Sequence, residues 1–160
     1  MNLTARRFRK EDAEAVSALI ARTLYRSNSA DYTPQELEAV AQSLSPERVI
    51  QRAGWTHFYV FWDGETPVGC GAVGPYWGNA DECCFFNIFV LPEYQGRGIG
   101  RKIIGTLEQD DYFLRSKRAE IPASLTAVNF YRKFGYDFKN GITTPDEEKI
   151  YRLEKYRKHP

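Results

Sequence analysis

From Cys83 to Leu91 the chain is almost continuously apolar, broken by Asn87, and then runs Pro92-Glu93-Tyr94-Gln95-Gly96-Arg97-Gly98-Ile99-Gly100. An apolar run of this length reads as a central strand buried on both faces. After the glycines, Ile99, Ile103 and Leu107 fall on one side of a helix. Strand, glycine turn and helix in direct succession set the middle of the fold, and they also make a site. Glycines at every second position let the backbone approach a ligand closely. The first amides of a helix lack intrahelical acceptors, and the helix dipole places partial positive charge there. Such a turn suits phosphate or pyrophosphate, and Arg97, Arg101 and Lys102 add full positive charge.

The flanking segments fit around this unit. Leu3 to Phe8 reads as a short strand. Asp12 opens a helix with Val16, Leu19, Ile20 and Leu24 on one face. Thr33-Pro34-Gln35-Glu36 is a capping box with proline at the first helical position, and Ser45-Pro46-Glu47 starts a further helix to about Ala53. Thr56 to Trp62, an Asp63-Gly64 turn, Thr66 to Tyr76, a Gly78 to Asp81 turn and the apolar run form an antiparallel meander. Beyond the glycines come a short strand at Glu120-Ile121, a helix from Ser124 to Phe134 ended by Gly135, and strands at Tyr136 to Phe138 and Lys149 to Leu153. Glu154 to Lys158 reads as a solvated charged tail. There is no internal repeat and no dividing linker, so residues 1–160 read as one domain.

Composition excludes several classes. With 22 Lys and Arg against 21 Asp and Glu, the net charge is +1, without the broad basic footprint of a nucleic-acid binder. No apolar run approaches the ~18 residues of a membrane span, and Arg6, Arg7, Arg9 and Lys10 precede no apolar segment of a secretion signal. Three cysteines and two histidines, His57 and His159, without metal-site spacing, point to a reduced cytoplasmic protein that needs no metal.

Several readings of the glycine turn compete. A triphosphate-binding loop requires Ser or Thr after the lysine, and Lys102 is followed by Ile103. A dinucleotide fingerprint requires GxGxxG at the start of a βαβ unit. Here the spacing is GxGxG after a meander, although Glu120 lies at a tolerable distance for a ribose-binding acid. A tight turn without ligand is a third reading. The fourth is a resemblance. Gln95-Gly96-Arg97-Gly98-Ile99-Gly100 resembles the acetyl-CoA signature of the GNAT superfamily of N-acetyltransferases, and Phe130-Tyr131-Arg132-Lys133-Phe134-Gly135-Tyr136 resembles its second signature. Both occur, in this order, after a meander.

The resemblance implies an α/β (α+β) mixed sheet, mostly antiparallel and flanked by helices, with splayed fourth and fifth strands. It implies pantetheine paired with backbone of Ile88, Phe89 and Val90, pyrophosphate on the amides of Gly96, Arg97, Gly98, Ile99, Gly100 and Arg101, and Gln95, the first residue of the signature, among the cofactor-binding residues. Ser124 falls where many relatives have an Asn on the pantetheine arm, and serine is also a plain helix cap. Tyr131 matches the tyrosine that protonates the departing thiolate. A backbone amide near Phe89 or Val90 would hold the oxyanion. Glu82 and Glu120 are candidates for removing the amine proton, directly or through water, and each also reads as a solvated charge. Tyr25, Asn28 and Tyr32 fall between the first two helices, which cover the acceptor in that family, and Asn87 either faces the acceptor or has structural partners. Cys83 or Cys84 as an acyl carrier lacks a nearby histidine. The expected activity is transfer of acetyl from acetyl-CoA to a small-molecule or peptide amine by direct attack. The alternatives are an inactive CoA-responsive module and, third, a dinucleotide oxidoreductase. A homodimer through the C-terminal strand is a further expectation.

Overall fold

The computed structural model describes residues 1–157. Seven strands form one mixed sheet in the order β1-β2-β3-β4-β5-β7-β6. They are β1 (Leu3–Arg7), β2 (His57–Asp63), β3 (Thr66–Tyr76), β4 (Asn79–Val90), β5 (Arg118–Ser124), β6 (Asp137–Phe138) and β7 (Ile150–Tyr156). The helices are α1 (Ala13–Ser27), α2 (Pro34–Ser43), α3 (Pro46–Ala53), α4 (Ile99–Leu107), α5 (Asp111–Leu114) and α6 (Val128–Arg132). The chain forms two compact units, one of residues 1–72 with 87–106, the other of residues 73–86 with Leu107 onward.

In the first unit, β1 pairs antiparallel with β2. The expected apolar face of α1 is buried: Val16, Leu19, Ile20 and Leu24 are at most 4% exposed. Asp12 ties β1 to the start of α1, accepting from Arg6 Nη1 and Nη2 at 2.8 and 2.9 Å and from the Arg9 amide at 2.8 Å. The Thr33 capping box forms as the sequence predicts, with Glu36 N donating to Thr33 Oγ1 and Thr33 N to Glu36 Oε1. Helix α4 packs Ile99, Ile103 and Ile104 inward. It lies so close to β3 that a Cβ on Gly69 would come within 3.2 Å of Ile99, of Ile103 and of the Phe89 carbonyl.

In the second unit β5 is the hub. It pairs parallel with β4 over Glu82↔Arg118, Cys83↔Ala119 and Cys84↔Glu120, and antiparallel with β7 over all seven of its residues, to Ser124↔Ile150. The proline at 122 explains where the β4 ladder ends. Arg157 N donates to Lys117 O, so odd-numbered residues of β5 turn their backbone groups toward β7 and even-numbered ones toward the β4 edge. Pro122 is the first even position past Glu120, and it has no N–H to offer.

Several expectations are corrected here. β4 starts at Asn79, so its preceding turn shrinks to Trp77 and Gly78, both at positive φ. Burial on both faces ends at Phe85, and Phe86 to Val90 are half-buried. Ser124 closes β5 and does not cap α6, which begins at Val128 after Ala127, because the β7 ladder holds Ser124 extended. The Glu154 to Lys158 segment is not a solvated tail: Glu154, Lys155 and Tyr156 belong to β7, while Lys158 and His159 lie outside the described residues. Helix α5 was not expected.

Candidate functional site

The glycine turn is built from both sides before any ligand enters. Gly96 and Gly98 sit at φ 79° and 84°, and a Cβ on either would meet nothing within 4 Å. These left-handed positions turn the strand into α4, whose first amide bond runs from Lys102 N to Gly98 O at 3.1 Å. The amides of Gly98, Ile99 and Gly100 therefore precede the helical ladder and lack acceptors within it. Tyr94 anchors one flank: its hydroxyl donates to Asp63 Oδ2 at 2.9 Å, and the Arg97 guanidinium lies over its ring at 4.9 Å. The Asn2 amide and the Tyr94 hydroxyl together hold the Asp63 carboxyl below the usual carboxylate range. On the other flank Glu93 pairs with Arg22 of α1.

The Gln95 side chain is bonded within the protein. Its Nε2 donates to Ser27 Oγ at 2.9 Å and to Val90 O at 3.1 Å, which uses both hydrogens of the amide inside the protein. The backbone of β4 is also more selective than expected. Leu91 N donates to Val68 O on β3, so the groups of Phe89 face β3 as well, and those of Ile88 and Val90 face the opposite edge. Phe89 thus drops out as an amide source on that edge. Between them Ile88, Val90 and the turn offer half-buried apolar side chains, outward backbone groups apart from the Val90 carbonyl, which Gln95 already holds, and a helix N-terminus in sequence. That set fits a linear amide-bearing ligand ending in a pyrophosphate.

Asn87 marks where β4 departs from regular strand, at φ 54°. Asparagine tolerates this left-handed conformation better than most residues. The bulge is clamped twice: Arg52 Nη1 of α3 donates to its Oδ1 at 3.3 Å, and Cys70 Sγ–H donates to its carbonyl at 3.2 Å. Neither Arg52 nor Cys70 carried a signal in the sequence.

Tyr131 belongs to the second unit. The residue is 5% exposed. Burial pushes the phenol pKa above its ordinary value. The end of α6 holds it. Gly135 N donates to Arg132 O and Tyr136 N to Tyr131 O, a Schellman closure with Gly135 at φ 92°. The second sequence signature is thus a helix stop, with Tyr136 buried behind it and bonded to Glu108 at 2.8 Å.

Residues 54–137, more than half of the chain, match the model of the acetyltransferase (GNAT) domain. The chain belongs to the GNAT acetyltransferase family. Solved structures share its fold at low identity. The PaiA N-acetyltransferase of Thermoplasma acidophilum, crystallised with coenzyme A, superposes with a TM-score of 0.84 at 15% identity, over 98% of this chain and 100% of that one. A GCN5-related N-acetyltransferase of Rhodopseudomonas palustris gives 0.79 at 21%, over 98% and 97%. An acetyltransferase of Streptococcus agalactiae gives 0.73 at 14%, over 98% and 99%. No curated protein sequence matches this one.

In this GNAT acetyltransferase both carboxylates considered as bases are paired with Arg118. Glu120 is 1% exposed, and it pairs with Arg118 and, at 2.9 Å, with Lys139 Nζ. Glu82, half-buried, accepts from Arg118 Nη1 at 2.8 Å and Asn79 Nδ2 at 2.9 Å. Arg118 reaches Glu154 as well, at 2.7 Å, so one buried guanidinium serves three carboxylates. Arg118 and Glu120 are two apart on a strand and share a face, a signal the sequence did hold. Of the expected acceptor residues, Tyr25 donates to Glu38 Oε2 at 2.6 Å in a groove lined also by Pro34, Gln35, Ala39 and Gln42. Asn28 closes α1, and its carbonyl accepts from the amides of Asp31 and Tyr32. Ser124 Oγ lies 3.3 Å from Thr126 Oγ1. All three cysteines are buried; burial pushes Cys70 up to about 12 and Cys83 up to about 11, the range of inert thiols. Among the described residues no helix is long and apolar enough to cross a membrane.

Proposed function

We propose that this acetyltransferase moves an acetyl group from acetyl-CoA to the amino group of a small molecule or peptide, by direct attack in a ternary complex. One observation carries the reading. The outward backbone of Ile88 and Val90 runs directly into a turn with Gly96 and Gly98 left-handed and the α4 amides beyond. The Thermoplasma relative, crystallised with coenzyme A, supports the same ligand. Acetyl-CoA supplies an activated thioester. The amides of Gly98 to Gly100 hold its diphosphate, with Arg97, Arg101 and Lys102 near in sequence. The Val90 amide is the donor for the developing oxyanion. Tyr131 gives its hydroxyl proton to the leaving sulfur. A phenol kept protonated by burial is suited to this, because a thiolate with a pKa near ~8.5 accepts that proton only from a group still protonated at working pH. Asn87 and the Tyr25, Asn28 and Tyr32 segment receive the acceptor.

A second reading, a CoA-responsive module without turnover, is favoured by one observation: Glu82 and Glu120 are both bound to Arg118, so neither is a ready base. Thiol release from acetyl-CoA with a panel of peptides, polyamines, aminoglycosides and amino acids separates the two. The enzyme reading expects turnover with at least one amine. It also expects Tyr131→Phe to lower kcat by about a hundred- to ten-thousandfold with CoA affinity retained. In the wild type, kcat should rise with pH as the amine loses its proton, with no alkaline fall from the phenol below about pH 10. CoA binding with no turnover across the panel leaves the module.

A further inference from the structure

The glycine turn is joined to the α1–α2 segment through one side chain. Gln95 stands immediately before Gly96, and its Nε2 bridges Val90 O, at the end of β4, and Ser27 Oγ, the last residue of α1. Thr23 Oγ1 also lies near Val90 O, but at 3.5 Å, with its hydrogen directed to Leu19 O at 2.8 Å, so Gln95 is the effective donor to that carbonyl. One residue past Ser27, Asn28 closes α1 and accepts the amides of Asp31 at 3.1 Å and Tyr32 at 3.2 Å. That loop runs into the Thr33 capping box and the start of α2. The path from the turn to the loop of residues 28–32 therefore runs through the Gln95–Ser27 hydrogen bond, the peptide link to Asn28, and the bonds of Asp31 and Tyr32 to the Asn28 carbonyl. Glu93 pairing with Arg22, earlier on α1, holds the same two segments together.

We propose that Gln95 is a positioning residue that couples occupancy of the glycine turn to the order of the loop at residues 28–32, so that filling the turn prepares the acceptor side. This rests on the reading that the turn binds coenzyme A. A ligand diphosphate on the Gly98 to Gly100 amides restrains the backbone that carries Gln95. A restrained Gln95 holds Ser27, and Ser27 holds the end of α1 from which the loop departs. Coupling of this kind is reciprocal: an ordered loop tightens the turn by the same factor.

The test uses coenzyme A as probe and hydrogen exchange of the Asn28, Asp31 and Tyr32 amides as readout, with affinity followed by calorimetry. In the wild-type chain, saturating coenzyme A should slow exchange at these amides about fivefold or more. Gln95→Met keeps the length and removes both donors; Ser27→Ala removes the acceptor and touches neither turn nor ligand. Both variants should fold, bind coenzyme A and lose the slowing in the loop while keeping it at the glycine turn. Equal slowing in wild type and both variants would overturn the coupling, as would wild-type binding with no slowing in the loop. If the wild type fails to bind coenzyme A at all, the functional reading falls with it. Ser27→Ala carries the comparison if Gln95→Met alone loses the coenzyme.

Discussion

At Gly98 the backbone, not the neighbours, demands glycine. The residue sits at φ 84° with open space where a Cβ would point. Gly98→Ala should cost about 1–2 kcal/mol of stability from the left-handed strain alone. A methyl there would also crowd a diphosphate seated on the turn, so coenzyme A affinity should fall about tenfold or more, a difference of ~1.4 kcal/mol. Gly105, on the exposed side of α4, has the same open surroundings without a positive φ. Gly105→Ala should raise the unfolding midpoint and leave binding unchanged, since alanine is favoured by about 1 kcal/mol in a helix. Thermal unfolding and calorimetry on the pair separate strain from ligand contact. Unchanged affinity in Gly98→Ala would place the diphosphate elsewhere.

The elements around the site were readable to different depths. Helix α4, the Thr33 cap and the stop at Gly135 followed from local rules, although α6 ends at Arg132, two residues before the expected Phe134. Ser124 was assigned to a helix because Ser precedes an apolar periodic stretch, a correct cap signal overruled by seven residues of ladder to β7. The close seating of α4 on β3 had only Gly69 as a hint. Gly69→Val would force branches against Ile99, Ile103 and the Phe89 carbonyl, all 3.2 Å from the position of a Cβ. Lifting the helix should cost about 1–3 kcal/mol and move its N-terminus away from the β4 edge. Urea unfolding should show the loss of stability, and coenzyme A titration should show weakened binding. Stability lost with binding intact would separate the helix seat from the site.

For the molecule as a whole, the buried charges of the second unit matter most. Arg118 bonds Glu82 on β4, Glu120 on its own strand and Glu154 on β7, and the Tyr76 ring lies 5.1 Å from its guanidinium. Burial opposes its charge, yet the hydrogen bonds it donates to Glu154, Glu120 and Glu82 hold its pKa above the usual arginine value. Arg118→Ala would leave these carboxylates in place around an emptied centre. The expected loss is about 3–5 kcal/mol, a large share of the 5–15 kcal/mol that domains usually hold. Chemical denaturation should show it as a lower midpoint, or as early unfolding of the second unit ahead of the first. A change under 1 kcal/mol would mean that water and the neighbouring Lys139 replace the guanidinium.

Taken alone, the order of residues determined what depends on a few neighbours along the chain: the glycine turn, the helix caps, the hairpin at Asp63-Gly64 and the helix stop that carries Tyr131. Those features follow from backbone dihedrals and hydrogen bonds within one or two turns. The tertiary structure decided which distant groups meet. Gln95 finds Ser27 across 68 residues, and Arg118 finds Glu82 and Glu154 each across 36. It gave both candidate bases, the buried Glu120 and the half-buried Glu82, to one arginine, and tied the Gln95 side chain to Ser27. The reason is physical. A polar side chain's partner is whatever the folded sheet and helices bring within about 3 Å, and local pattern carries no record of that distance.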